Sequence, residues 1–282
     1  MSSPTWFITG VSTGFGLLLC LRALEGKHRV VGTVRNKAKA ADAVRKIEAA
    51  GGIVMEMDLT ESRDSIHEKV KSVGQVDVLV NNAGYSIFGA LEQHTEPEIL
   101  TQMQTNVFGP IYTMQAVLES MRPRRTGTIV NLSSIAAKDP QPSNTLYASS
   151  KAALEAISES LAKEVAPFGI NVLIVEPGAF RTNFLGTIVT SSTPLPDDYK
   201  DSIVGQTMGR YASYDGKQAG DPVKGVERIW EIVVGEGLAG ELKGKVLRMQ
   251  LGSDCLIRIK NNNSKFVSDI AMGEKIASST DY

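Results

Sequence analysis

Three groups of residues in this chain carry atoms that could do chemistry. The first is Thr9-Gly10-Val11-Ser12-Thr13-Gly14-Phe15-Gly16, a glycine-rich turn between an apolar run and a helical one. A strand, turn and helix in that order leave free backbone N–H groups at the positive end of the helix. A pyrophosphate fits there, and glycines let it come close. The spacing is G-x-x-x-G-x-G, not the common dinucleotide fingerprint G-x-G-x-x-G. Alone, the cluster also fits a plain tight turn. The second group is Tyr147-Ala148-Ser149-Ser150-Lys151, whose phenol and amine stand four apart and share one helix face. A bare pair at this spacing is equally what a solvated helix surface displays. The third group closes two apolar runs: Asn81-Asn82-Ala83-Gly84 and Asn131-Leu132-Ser133-Ser134.

Residues 10–14 also spell G-x-S-x-G, the nucleophile elbow of α/β-hydrolases. That chemistry needs a histidine far downstream. The three histidines are His28, His67 and His94, and none lies in the last two-thirds of the chain. An elbow at residue 12 also has no preceding sheet to hold it, so this reading fails. The histidines show no metal-ligand spacing and are expected at solvated positions; no metal is expected.

The elements that must position these groups are read from periodicity. Short β-branched runs recur at 6–9, 29–34, 53–57, 76–81, 128–132, 171–176 and 245–249. Between them lie stretches with helical spacing, among them 62–72, 96–121 and 147–166. Leu17, Leu18, Leu21 and Leu24 share one face, with Gly26 at a C-cap position. Strands apolar on both faces and separated by helices imply a parallel sheet covered on both sides. The expected fold is a doubly wound α/β (Rossmann) fold of about seven strands, one domain over residues 1–282. The glycine turn, Ser134 and Tyr147 then face one crevice at the carboxyl edge of the sheet. Residues 178–220 are rich in Thr, Ser, Gly, Asp and Pro without a period, and are expected to be a loop or lid over that crevice. Residues 253–282 read as a polar, frayed tail.

Composition sets outer limits. Lys plus Arg is 30 and Asp plus Glu is 31, a formal net charge of −1. That balance lacks the basic surplus a nucleic-acid protein uses against phosphates. Two cysteines, Cys20 and Cys255, exclude a disulfide scaffold and fit a reducing compartment as buried thiols. No signal-peptide pattern and no run near 18 apolar residues is present, so a soluble cytoplasmic protein is expected.

Taken in order, Thr9-Gly10-x-x-x-Gly14-x-Gly16, Asn81-Asn82-Ala83-Gly84, Ser134, Tyr147-x-x-x-Lys151 and Pro177-Gly178 resemble the short-chain dehydrogenase/reductases of the single-domain branch. The resemblance spans roughly residues 5–182, and no departure from the catalytic pattern is visible. It implies that Tyr147 is the general acid/base, with Lys151 favouring the phenolate of a group whose ordinary pKa is about 10. It implies that Lys151 holds the nicotinamide ribose and that Ser134 hydrogen-bonds the substrate carbonyl oxygen as it becomes an alkoxide. Asn106 matches the family's helix asparagine, which keeps a water linked to the lysine. The cofactor would lie on Gly10, Ser12, Thr13, Gly14, Phe15 and Gly16. Asn82, Ala83 and Gly84 would flank its adenosine side, with Asp58 and Leu59 by the adenine and Pro177, Gly178 and Thr182 at the carboxamide.

NAD-preferring relatives carry an acidic residue at the end of the second strand. Here that position is Val34, followed by Arg35, whose guanidinium suits a 2′-phosphate, and then by Lys37 and Lys39. The expectation is NADP, with NADPH preferred over NADH and reduction as the working direction. The substrate wall is expected from Tyr85, Phe88, Asp139, Pro140, Pro142, Ala179, Phe180, Phe184, Leu185 and Ile188, beside Ser134 and Tyr147. Most are apolar, which suggests a medium-to-large hydrophobic ketone or alcohol. Phe180 and Phe184 could equally pack a hinge. Two other readings stay open on the same fold: an epimerase or dehydratase, and a non-catalytic NADP(H)-sensing protein. The family's habit of pairing helices suggests a homodimer or homotetramer, built on the helices bearing Asn106 and Tyr147.

Overall fold

The computed structural model describes residues 3–282. Seven parallel strands form one sheet in the order β3-β2-β1-β4-β6-β7-β9. They are β1 (Thr5–Thr9), β2 (Arg29–Val34), β3 (Ile53–Glu56), β4 (Val78–Asn81), β6 (Gly127–Leu132), β7 (Ile170–Pro177) and β9 (Arg248–Leu251). Two more strands, β5 (Ile87–Phe88) and β8 (Val189–Thr190), pair with each other outside the sheet. The helices are α1 (Gly14–Glu25), α2 (Ala41–Ala49), α3 (Arg63–Ser72), α4 (Glu96–Met103), α5 (Gly109–Arg124), α6 (Thr145–Val165), α7 (Asp197–Lys200), α8 (Ile203–Tyr214), α9 (Pro222–Val234), α10 (Gly237–Gly240) and α11 (Ser253–Ser278).

Alternation along β1 builds two cores. Trp6 and Ile8 face one side of the sheet, where α1 and α9 supply Leu19, Ile229 and Trp230. Phe7 faces the other side, with Ile66 of α3 and Val117 and Met121 of α5. Side chains that alternate at a period of two must divide in this way. Both sides being covered is why these runs read as continuously apolar. Trp6 stacks on Trp230 with ring centres 5.3 Å apart, which ties the sheet to α9.

The chain order reverses between β1 and β4, so the two connections leave in opposite directions and open a crevice at their carboxyl ends. That is where the glycine turn and Asn82 stand.

Several local expectations need correction. The last strand is β9 at Arg248–Leu251, starting three residues later than the run at 245–249, because residues 241–245 turn after α10. Residues 178–220 are not a structureless loop. They hold β8, α7 and α8, whose helical period is short and diluted by Ser and Gly. Residues 253–282 are not a frayed tail, since α11 runs 26 residues from Ser253. Only Cys255 of that helix is fully buried, and its other large apolar side chains, such as Phe266, Ile270 and Ile276, are exposed. His67 and His94 are buried rather than solvated. Cys20 and Cys255 are buried free thiols. Among the described residues no helix is long and apolar enough to cross a membrane.

Candidate active site

The glycine turn is shaped by close backbone contacts. Gly10 adopts φ 72°, and a Cβ there would lie 2.8 Å from Ala83 Cα, so only glycine fits. Thr9 Oγ1 accepts hydrogen bonds from the N–H groups of Asn82 (3.1 Å) and Ala83 (3.0 Å). The Asn82 amide donates to the carbonyls of Thr9 and Gly10, both at 2.9 Å. Asn82 therefore locks the ends of β1 and β4 together. The α1 N-cap, Thr13, makes no side-chain cap bond, so the first N–H groups of α1 remain free for an anion.

This turn floors a cleft of about 980 Å³ that runs across the carboxyl edge of the sheet. Every residue expected to bind the cofactor lines the cleft except Gly16. Gly16 lies behind the turn, where its missing Cβ would fall 2.3 Å from Gly10 O. Its part is close packing of α1 under the turn. Val34 is buried at the end of β2, and Arg35 beside it is exposed at the cleft wall. Asp58 spends one carboxylate oxygen on the Thr60 N–H and hydroxyl, both at 2.9 Å.

The four expected catalytic residues converge from three elements. Asn106 sits on one turn of π-helix, Gln104–Phe108, between α4 and α5. Such a wide turn re-aims a side chain within a helix. Asn106 Nδ2 donates to Tyr85 O and Ser150 Oγ, each at 3.0 Å, and its Oδ1 accepts from Tyr85 N–H at 3.2 Å. It is buried and does not line the cleft itself. A Cβ on Gly84 would lie 3.1 Å from Asn106 Oδ1 and 3.4 Å from Lys151 Nζ, so the asparagine and the lysine meet across that glycine. Lys151 Nζ donates to Leu132 O at 2.7 Å and lies 5.7 Å from the centre of the Tyr147 ring.

Burial pushes the Tyr147 phenol up to about 12, while its hydrogen bond with Ser134 pulls the other way. Loss of solvent thus works against the phenolate that Lys151 is expected to favour. A raised phenol favours the protonated form, the one a general acid needs. Burial pushes the Lys151 ammonium down to about 8, opposed by the charge of Glu155.

The wall beyond Tyr147 is mixed. Phe184 packs on Tyr147 at 5.5 Å, and Phe88 meets Tyr211 of α8 edge-on at 4.9 Å. Phe180 lines the cleft but also packs on Phe15 at 5.0 Å and against Gly220 and Gly225, and so serves the hinge as well. Tyr85, Ala179 and Leu185 line the cleft, whereas Asp139, Pro140, Pro142 and Ile188 do not. Sequence reasoning missed Tyr211, Arg210 and Gln218 from the lid, and Asp254 and Arg258 from α11. Asp254 accepts the Ala179 N–H at 2.8 Å, beneath the Pro177-Gly178 turn. Arg258 pairs with Asp139 at 2.6 Å. Spacing alone could not reveal contacts between such distant positions.

The 178–220 segment is tied down on its far side. Glu98 accepts hydrogen bonds from the Thr95 N–H, the Ser191 hydroxyl and the Ser192 N–H at 2.9, 2.9 and 2.7 Å. Those donors hold its carboxyl well below the usual range, at about 2.

Residues 4–192 match the family model of the short chain dehydrogenases. The chain belongs to that family. It is 45% identical over 209 residues to the oxidoreductase claN of Passalora fulva, covering 73% of this chain and 93% of that protein. A short-chain dehydrogenase from Streptomyces avermitilis superposes with a TM-score of 0.86 at 34% identity over 100% of both chains. A metagenomic short-chain oxidoreductase in complex with NADP gives 0.60 at 31% identity, over 64% of this chain and 85% of that one. The chain is thus an oxidoreductase by family, on a Rossmann-like fold.

Proposed function

We propose that the protein is an NADPH-dependent reductase of medium-to-large hydrophobic ketones. The observation that carries this reading is the shared cleft. The glycine turn, Lys151, Tyr147 and Ser134 all open on it, and its far end is walled by Phe88, Phe184 and Tyr211. The residues suit a dinucleotide: the first N–H groups of α1 are free for a pyrophosphate. Arg35, at the cleft wall just after β2, would suit a 2′-phosphate, and Val34 brings no carboxylate to repel it. The NADP carried by the metagenomic relative supports the same reading.

When bound, a reduced nicotinamide would supply the hydride. The chain supplies the rest. Ser134 presents its hydroxyl to the substrate carbonyl oxygen and stabilises the negative charge that grows there. Tyr147, protonated at neutral pH, gives its phenolic proton to that oxygen. Lys151, as an ammonium beside the ring, then stabilises the phenolate left behind. The apolar wall holds the substrate and keeps water from the reacting carbonyl.

The test is stoichiometric NADPH oxidation against a panel of bulky ketones and quinones. Tyr147→Phe is expected to bind NADPH as the wild type does and to lose about 100- to 10,000-fold in kcat. Normal turnover by that variant would sink the acid role. An epimerase or dehydratase would convert substrate without net NADPH consumption, and a sensing protein would bind NADPH without turnover.

A further inference from the structure

Behind the catalytic centre, on the side away from the cleft, lies a cluster of charges that the mechanism above does not use. Glu155 of α6 is one helical turn beyond Lys151, and its side chain is 2% exposed. Its Oε1 accepts the Ser133 hydroxyl at 2.6 Å. Its Oε2 faces Lys138 Nζ at 2.8 Å and Arg248 at 3.4 Å. Arg248 reaches from β9 to Glu159 at 2.6 Å and toward Glu176 of β7 at 3.6 Å. Gln250 donates to Glu176 at 2.6 Å, and the Cys255 thiol donates to the Glu176 carbonyl at 3.0 Å. Burial and the neighbouring Glu155 charge push the Glu176 carboxyl up. Two cations and a hydroxyl turn toward Glu155.

Resting on the reductase reading above, we propose that Glu155 is a positioning residue: through Ser133 it fixes the turn that carries Ser134, and through its charge it holds Lys151 as the ammonium. Two contacts carry the argument. Ser133 is bonded by its N–H to Val175 O at 2.8 Å and by its hydroxyl to Glu155, so the backbone that leads into Ser134 is pinned from both sides. Lys138, at the other end of the same short turn, is pinned to the same carboxylate. Tyr147, Lys151 and Glu155 recur every four residues along one face of α6, all buried. Lys151 is otherwise satisfied by one carbonyl, that of Leu132. A buried ammonium needs a nearby counter-charge to persist. Such a network adds little stability on average compared with hydrophobic packing, so its effect here lies in the geometry it specifies.

The experiment compares wild type, Glu155→Gln, Glu155→Asp and Lys138→Met, with NADPH and a ketone that the wild type reduces. Failure of the wild type to reduce any ketone would refute the reductase reading and not the present one. Glu155→Gln keeps a Ser133 acceptor and removes the charge. It is expected to bind NADPH within about twofold of wild type, to lose kcat rather than raise KM, and to lose activity at lower pH on the alkaline side. A displacement of at least about half a pH unit, roughly threefold in proton affinity, is expected. Glu155→Asp is expected to restore the wild-type alkaline limb. Lys138→Met, on a partly exposed side chain, removes a cation facing Glu155 and is expected to move the limb the other way, to higher pH. An alkaline limb that stays in place in Lys138→Met overturns the proposal even where Glu155→Gln does not fold. A well-folded Glu155→Gln with an unmoved limb overturns it as well.

Discussion

Gly16→Ala is the substitution whose outcome the geometry constrains most tightly. The new Cβ would lie 2.3 Å from Gly10 O and 2.4 Å from Asn82 Nδ2, where ordinary contact begins at 3.4 Å. Both obstacles are fixed. Gly10 O is backbone, and the Asn82 amide is held by the carbonyls of Thr9 and Gly10. The clash can be relieved only if α1 moves away from the turn by about 1 Å. That distance is enough to spoil hydrogen bonds from the α1 N–H groups to a pyrophosphate. Losing one charge-assisted hydrogen bond costs about 1.5–3 kcal/mol. Affinity for NADPH should therefore fall about 10- to 150-fold, since about 1.4 kcal/mol is a factor of ten. The assay is a fluorescence titration of NADPH, with circular dichroism to show that the variant is folded. A folded variant whose Kd stays within twofold of wild type would refute the reasoning, because it would mean that α1 does not present the phosphate site. Gly14→Ala is the contrasting control. It strains φ 59° but meets only the Thr182 side chain at 3.6 Å, so any loss there comes from backbone strain and not from displacement of α1.

Two further outcomes follow from the same structure. Val34→Asp combined with Arg35→Ala should lower the kcat/KM ratio of NADPH to NADH by at least about tenfold, since a bidentate phosphate contact is removed and a repelling carboxylate is added; an unchanged ratio would show that neither residue reads the 2′-phosphate. Glu98→Gln should loosen the lid, seen as faster proteolysis or hydrogen exchange around residues 189–193 and a raised KM with kcat little changed. The Glu98 carboxyl is depressed in the folded chain, so its contribution is full above the ordinary value of 4.5 and fades as the pH falls toward 2. The wild-type advantage in Tm over Glu98→Gln should shrink across that window, and an advantage constant with pH would contradict the assigned role.

What the amino-acid order determined here was local. Strands that alternate with helices and are apolar on both faces specify a parallel sheet, and seven such runs were readable because each is a few contiguous residues. The candidate site residues were readable for the same reason: Tyr147 and Lys151 share one turn of helix, and Gly10, Gly14 and Gly16 share one turn of chain. Folding supplied everything that joins distant positions. Asp254 meets Ala179 across 75 residues, and Arg258 meets Asp139 across 119. Neither pair leaves a periodic trace, and α11 itself lacks a buried stripe, so its residues read as a tail. The same holds for Glu155, which on α6 looks like an ordinary helix-surface charge. Only when β6, β7 and β9 lie side by side do Ser133, Glu176 and Arg248 close around it. The upward push on the Tyr147 phenol arises at the same level, because desolvation depends on how completely the surrounding elements exclude water, and no spacing along the chain encodes that.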